Sequence, residues 1–173
     1  MIGFSSREGR RFALLALLVA ARGGAAEPAP GAPSPCPAGG DTVTVIARKH
    51  ELWLCQGGAP TARYPVAMGR KGVDKHDQGD ERTPLGTYTL GEPRSSRQFG
   101  VFIPIDYPTP DQAAQGFTGN AVGIHGPPRG LTEPEYPTTA VDWTNGCIAT
   151  GTDADIDAIA TFVRQRQPTL VVR

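Results

Sequence analysis

Cysteine, histidine, methionine and tryptophan are all scarce in this chain of 173 residues, with three, three, two and two copies. Without paired Cys and His ligands at short spacing there is no zinc-finger or zinc-ribbon framework. Charge of one sign is not in excess either. Seventeen Lys and Arg balance seventeen Asp and Glu, for a formal net charge of zero. A nucleic-acid binder needs a basic surplus to neutralise phosphates, so none is expected as a partner. There is no internal repeat and no long charge block. Long apolar runs are missing as well. The run FALLALLVAA, Phe12 to Ala21, holds ten residues, whereas a spanning helix needs about twenty. No other stretch could span a bilayer, so no integral membrane domain is expected.

That short run has another use. Arg7, Arg10 and Arg11 precede it, and the small residues Gly24-Ala25-Ala26 follow it before Glu27. A basic flank, an apolar core and a small-residue site in that order read as a secretory signal over residues 1–26. The pair Arg10-Arg11 before Phe12 hints at twin-arginine export. Cys36 follows Pro35 and so lacks the context of a lipidated cysteine. The stretch EPAPGAPSPCPAGG, residues 27–40, reads as an extended linker. Residues 41–173 suffice to bury one core. The expected location is outside the cytoplasm, in the periplasm or cell envelope.

What the chain has in quantity is glycine, 22 residues, and proline, 17. Both favour tight turns over long helices. TVTVIA and ELWLCQ alternate in polarity around a short RKH turn and read as a β-hairpin. RYPVAMG, GTYTLG, FGVFIPIDYP and NAVGIHG are further strand segments. One helix stands out. Thr152 is a suitable N-cap, Asp153 and Asp155 suit the first turn, and Ile156, Ile159, Ala160 and Val163 share one face. Pro168 ends it, and TLVVR closes the chain as a strand. The expected architecture is mainly β, a sandwich or compact β-fold with one packed helix near the C-terminus.

Three cysteines in an oxidising compartment leave one over. The hairpin can bring Cys36, ahead of the first strand, close to Cys55 in the second, so these two form the expected bridge. The alternative is that Cys55 is simply a buried apolar residue. The bridge leaves Cys147, in DWTNGCIAT, as a free thiol between Gly146 and Ile148. An exported thiol is exposed to oxidation, and its retention points to use. The glycine allows close approach of a substrate, and main-chain N–H groups ahead of the helix could face a developing oxyanion. A cysteine nucleophile also needs a base. His50 lies in the polar turn and His76 in a hydrophilic loop, while His125 ends an apolar strand ahead of Gly126. Any histidine of this kind can equally be satisfied within a core.

IHG followed downstream by TNGCIA resembles the signature of L,D-transpeptidase catalytic domains, in which a His-Gly or His-Ser step precedes a [Ser/Thr]-x-Gly-Cys motif. ERTPLGTY, Glu81 to Tyr88, is similar to a Thr-Pro-x-Gly-x-[Phe/Tyr] segment of the same domains. The resemblance runs from about Val43 to the C-terminus and implies that residues 41–173 are the catalytic domain. It also implies a β-rich fold and a cysteine acyl-enzyme acting on peptidoglycan stem peptides, with no cofactor and no metal. In its terms Cys147 matches the nucleophile and His125 the base. Gly126 supplies the carbonyl that orients the imidazole, and Gly146 lies beside the oxyanion donors. Asn145 stands where histidine is common, and Ala149 where Arg or Asn is common. DWTNGCIA, Asp142 to Ala149, is similar to a subgroup with Asp-Trp-Thr-x-Gly-Cys-Ile-Ala.

The implied reaction is attack of the Cys147 thiolate on the carbonyl of the third stem residue, with loss of terminal D-alanine. His125 acts as base and then as acid. A side-chain amine of another stem resolves the thioester; a lysine of a wall-anchored lipoprotein and water are the other acceptors. Trp143, Asn145 and Arg129 are the expected substrate contacts, and residues 127–139 either cover the cleft or are a solvated connector. Rival readings are a wall-peptide hydrolase of the same fold, a non-enzymatic peptidoglycan-binding module, and a metal site on His125 and Cys147, which lacks a convincing third ligand.

Overall fold

The computed structural model describes residues 33–130 and 139–173. The expected signal segment 1–26 and residues 27–32 of the linker lie outside the described residues, as do residues 131–138 of the 127–139 segment. The hairpin forms as its alternation predicts. β1 (Thr42–Ile46) and β2 (Glu51–Gln56) pair antiparallel, with Val43 against Leu54 and Val45 against Leu52. The RKH turn becomes one 3-10 turn, Ala47–Lys49, closed by His50 at φ 52°. β3 (Ala59–Ala67) starts four residues before its expected Arg63. Pro60 is tolerated in the added part because it pairs with Cys55 where the register shifts, so its missing N–H costs no regular ladder bond.

Further strands are β4 (Gly86–Thr89), β5 (Arg94–Ser96), β6 (Gly100–Pro104), β7 (Gly123–His125), β8 (Ile148–Thr150) and β9 (Thr169–Val172). Among the described residues the hydrogen-bonded order is β4-β9-β1-β2-β3-β8-β7-β6-β5. β3 is the shared strand. Its first part pairs with β2, and Val66 and Ala67 pair with β8, so one continuous series curls into two halves. The fold is thus mainly β with a helix near the C-terminus, as expected. β5 carries only Arg94-Ser95-Ser96 and has no apolar alternation to announce it.

The long helix, α2 (Asp153–Arg166), is built as its sequence dictates. Thr152 Oγ1 accepts the Asp155 N–H, and Gln167 in the left-handed region closes the end before Pro168. Its buried face, Ile156, Ile159, Ala160 and Val163, packs toward β6 and β8. Burying each large aliphatic side chain contributes about 1.5–3 kcal/mol. A second helix, α1 (Pro110–Ala114), was not expected. Thr109 and Gln112 form its capping box with Pro110 in the first turn, a signal present in TPDQ but overshadowed by its five-residue length. It buries no residue. The expected bridge is present: Cys36 and Cys55 are disulfide-bonded, with Cα atoms 5.6 Å apart, and pack with Trp53 in a small cluster.

Candidate active site

β7 and β8 lie side by side and parallel, with Ile124 opposite Ile148 and His125 opposite Ala149. One step back in that register, Cys147 sits beside Gly123, two residues from His125. Alternation then turns His125 and Cys147 to the same face of the sheet. This is how residues 22 positions apart come to line one cleft of about 610 Å³. Gly123 has no room for a side chain, because a Cβ there would stand 2.3 Å from the Ile103 carbonyl oxygen.

His125 is 1% exposed. Its Nδ1 lies 2.7 Å from the Gly126 carbonyl oxygen. A carbonyl only accepts, so Nδ1 carries the hydrogen and Nε2 keeps the lone pair. Phe99 stacks on the ring at a centroid distance of 3.8 Å, and Trp143 meets it edge-on at 5.6 Å. Burial pushes the imidazole pKa down, against the Gly126 hydrogen bond that raises it. Gly126 must be small: a Cβ would lie 2.6 Å from the Phe99 carbonyl oxygen and 3.0 Å from Ile156. The imidazole therefore rests neutral, in the tautomer whose Nε2 can accept a proton.

Cys147 is the cysteine outside the disulfide. Among the described hydrogen bonds its thiol donates to the Ala121 carbonyl, at 3.6 Å, rather than to the imidazole. Burial pushes the thiol pKa up, while the Gly123 amide and the charge of Lys75 pull it down. The net direction is upward, so the pair rests as thiol and imidazole and not as an ion pair. Gly146 has φ 128°, and a Cβ there would meet the Arg82 carbonyl oxygen at 2.6 Å, so glycine is required. The Gly146 N–H donates to Thr144 Oγ1 at 3.1 Å. It is engaged within the turn.

The turn before Cys147 is braced from three sides. Thr144 Oγ1 donates to the Cys147 carbonyl at 2.7 Å while accepting from Gly146. Thr83, fully buried, accepts the Gly69 N–H and lies 3.4 Å from the same carbonyl. This gives the Thr of ERTPLG a structural reason. Asp142 accepts the Met68 N–H at 2.7 Å through Oδ1 and meets His50 Nε2 at 3.1 Å through Oδ2. His50 is thus a brace behind the site. His76 stacks on Phe117 at 4.2 Å and is not among the residues that line the cleft.

The remaining expected contacts divide. Trp143 and Asn145 line the cleft. Asn145 Oδ1 accepts from Arg70 at 2.6 Å, and Arg70 also pairs with Glu81 at 3.5 Å. Arg129 is not among the lining residues; its guanidinium donates to Asp153 at 2.6 Å, at the start of α2. Sequence reasoning missed Phe99, the stacking face of His125, and Lys75, a 4% exposed lysine in the cleft wall. Lys75 lies in GVDKHDQGDERT, whose polarity reads as a solvated loop. Among the described residues no group of three or more His, Cys, Asp and Glu is placed to hold a metal ion.

Fold and cleft together define a curled β-domain with a buried imidazole and a free thiol on adjacent strands. Residues 40–172 match the L,D-transpeptidase catalytic-domain family (YkuD), and the chain belongs to that family. Among solved structures it is similar to the helical cell shape determining protein Pgp2 from Campylobacter jejuni, with 23% identity and a TM-score of 0.64 over 80% of this chain and 49% of that one. Bd1075 from Bdellovibrio bacteriovorus gives 20% identity and a TM-score of 0.58 over 78% and 48%. An L,D-transpeptidase from Enterococcus faecium gives 14% and 0.53 over 79% and 50%. These likenesses concern the fold. The chain spans about half the length of each of these structures. Among curated proteins none matches it.

Proposed function

We propose that this domain is a cysteine acyltransferase acting on peptidoglycan stem peptides. The observation that carries the reading is the neutral His125, locked by Gly126 and lining one cleft with the free thiol of Cys147. His125 Nε2 takes the thiol proton as sulfur attacks the carbonyl of the third stem residue. The tetrahedral oxyanion is received by main-chain N–H of the Cys147 turn, for which we assign the Cys147 amide, since that of Gly146 is engaged. The C–N bond then breaks, His125 returns the proton to the leaving amine, and terminal D-alanine departs. An amine of a second stem resolves the thioester as a cross-link between third residues; a protein lysine or water would resolve it by the same chemistry. The Asp142–Ala149 stretch supports membership of the Asp-Trp-Thr-x-Gly-Cys-Ile-Ala subgroup.

Export through a signal in residues 1–26 would bring the domain to this substrate, and the Cys36–Cys55 bridge suits an oxidising compartment. No helix among the described residues is long and apolar enough to cross a membrane. The test is mass analysis of muropeptides incubated with the purified domain and with its Cys147→Ala variant. A new cross-link, a shortened stem or a released protein anchor identifies the acceptor, and each requires Cys147. Unchanged muropeptides with the intact protein would sink the reading, and leave a binding module in its place.

A further inference from the structure

Lys75 is 4% exposed, yet it forms part of the cleft wall that holds Cys147. Its stem is confined between two glycines. A Cβ on Gly119 would lie 3.1 Å from Lys75 Cε, and one on Gly146 would lie 3.8 Å from Lys75 Cδ. Its ammonium is tethered at the far end. Nζ donates to Asp80 Oδ1 at 2.6 Å and to the Asp77 carbonyl at 2.8 Å. An ammonium has three N–H donors, and these bonds use two of them; Nζ also lies 6.0 Å from the centroid of the Tyr107 ring. Burial alone would raise the Asp80 pKa. Hydrogen bonds from Lys75 and from the His76, Asp77 and Arg82 amides outweigh it and hold the carboxyl well below the usual range. The anchor is a permanent carboxylate, and Lys75 is a positive charge in one fixed place.

A fixed, dry cation beside a nucleophile matches one feature of a stem donor. The leaving residue's carboxylate lies three bonds beyond the scissile carbonyl carbon, within about 4 Å of it. We propose that Lys75 binds the free C-terminal carboxylate of the leaving residue and so restricts the donor to stems that end one residue past the cleaved bond. This rests on the acyl-transfer reading of the same cleft. A longer stem, or one capped as an amide, places a neutral acceptor against the ammonium and exchanges an ion-paired hydrogen bond for a weaker one. Arg70 is the other cation nearby, but it sits at the exposed mouth and is already held by Asn145 and Glu81.

The experiment compares a tetrapeptide stem with its C-terminal carboxamide as acyl donors. Single-turnover acylation of Cys147 is followed by intact mass in the wild type and in Lys75→Met. A hydrogen bond to a charged group accounts for about ten- to a hundredfold in rate, and the wild type is expected to prefer the acid by that factor. Lys75→Met should bring acid and amide close to parity: losing the charge that lowers the Cys147 pKa slows both donors, and losing the carboxylate contact slows the acid by the further factor. Asp80 keeps its three amide donors in that variant, and circular dichroism checks the fold. If Lys75→Met slows both donors equally and keeps the preference, Lys75 serves the thiolate and the proposal fails. Parity in the wild type overturns it even if the variant does not fold. Absence of acylation by either donor in the wild type defeats the stem-peptide reading itself, a result distinct from parity.

Discussion

Replacing Thr144 by valine keeps the shape of the side chain and removes one hydroxyl. That hydroxyl accepts the Gly146 N–H at 3.1 Å and donates to the Cys147 carbonyl at 2.7 Å, in a residue 3% exposed. Both partners are main-chain groups of the turn that carries the thiol. Stranding a buried polar group costs about 1–3 kcal/mol. Gly146 is buried and its N–H loses this acceptor, so it takes a full share. The Cys147 carbonyl retains the longer contact from Thr83 at 3.4 Å and takes less. Thr144→Val should therefore lose about 2–4 kcal/mol of unfolding free energy. Thr144→Ser keeps both bonds and loses one methyl group, about 0.8 kcal/mol. Urea unfolding followed by tryptophan fluorescence measures both, at unchanged m-value. The turn also sets the position of the thiol, so acylation should fall in the valine variant and persist in the serine variant. A valine variant within about 0.5 kcal/mol of wild type, the range of ordinary surface substitutions, would refute the bracing argument.

Because burial raises the Cys147 pKa and lowers that of His125, alkylation of Cys147 by iodoacetamide should climb through neutral pH and continue above the usual thiol range; a plateau already reached near pH 6 would reveal a resting thiolate–imidazolium pair instead. The same depressed His125 pKa makes its contribution to stability complete above the imidazole's usual range and progressively lost as pH falls through it, which unfolding midpoints between pH 7 and 5 will show. His125→Ala should slow acylation by about two to four powers of ten. Asn145→Ala, which loses one exposed hydrogen bond to Arg70, should cost about tenfold or less; a larger loss in the asparagine variant would mean the base is misassigned. Thiol counting in denaturant without reductant should find one free thiol, and Cys36→Ala with Cys55→Ala should destabilise by about 3 kcal/mol for a loop of this length; three free thiols in oxidised protein would contradict the bridge.

Several features were settled by local chemistry and could be read along the chain. The N-cap Thr152, the acidic first turn and the 3.6-residue spacing of Ile156, Ile159, Ala160 and Val163 specify α2 without reference to the rest of the protein. Alternation in TVTVIA and ELWLCQ specifies the first hairpin, and with it the approach of Cys36 to Cys55. The motifs around His125 and Cys147 point to their chemistry because glycine is demanded beside each. Gly126 has no space for a Cβ against the Phe99 carbonyl, and Gly146 needs a positive φ.

Other features depend on contacts between distant segments, and no local pattern encodes them. The parallel register of β7 and β8 decides that His125 and Cys147 share a face. The pairing of Asp142 with His50, 92 positions away, makes that histidine a brace. Arg129 and Lys75 exchange the roles that polarity alone assigns: the arginine beside the histidine motif turns to Asp153, and the lysine of a hydrophilic loop is buried in the cleft wall. A charged side chain is legible as solvated only by default. Its burial depends on a partner such as Asp80 and on glycines at 119 and 146 that leave room for its stem, and those are brought together by the fold.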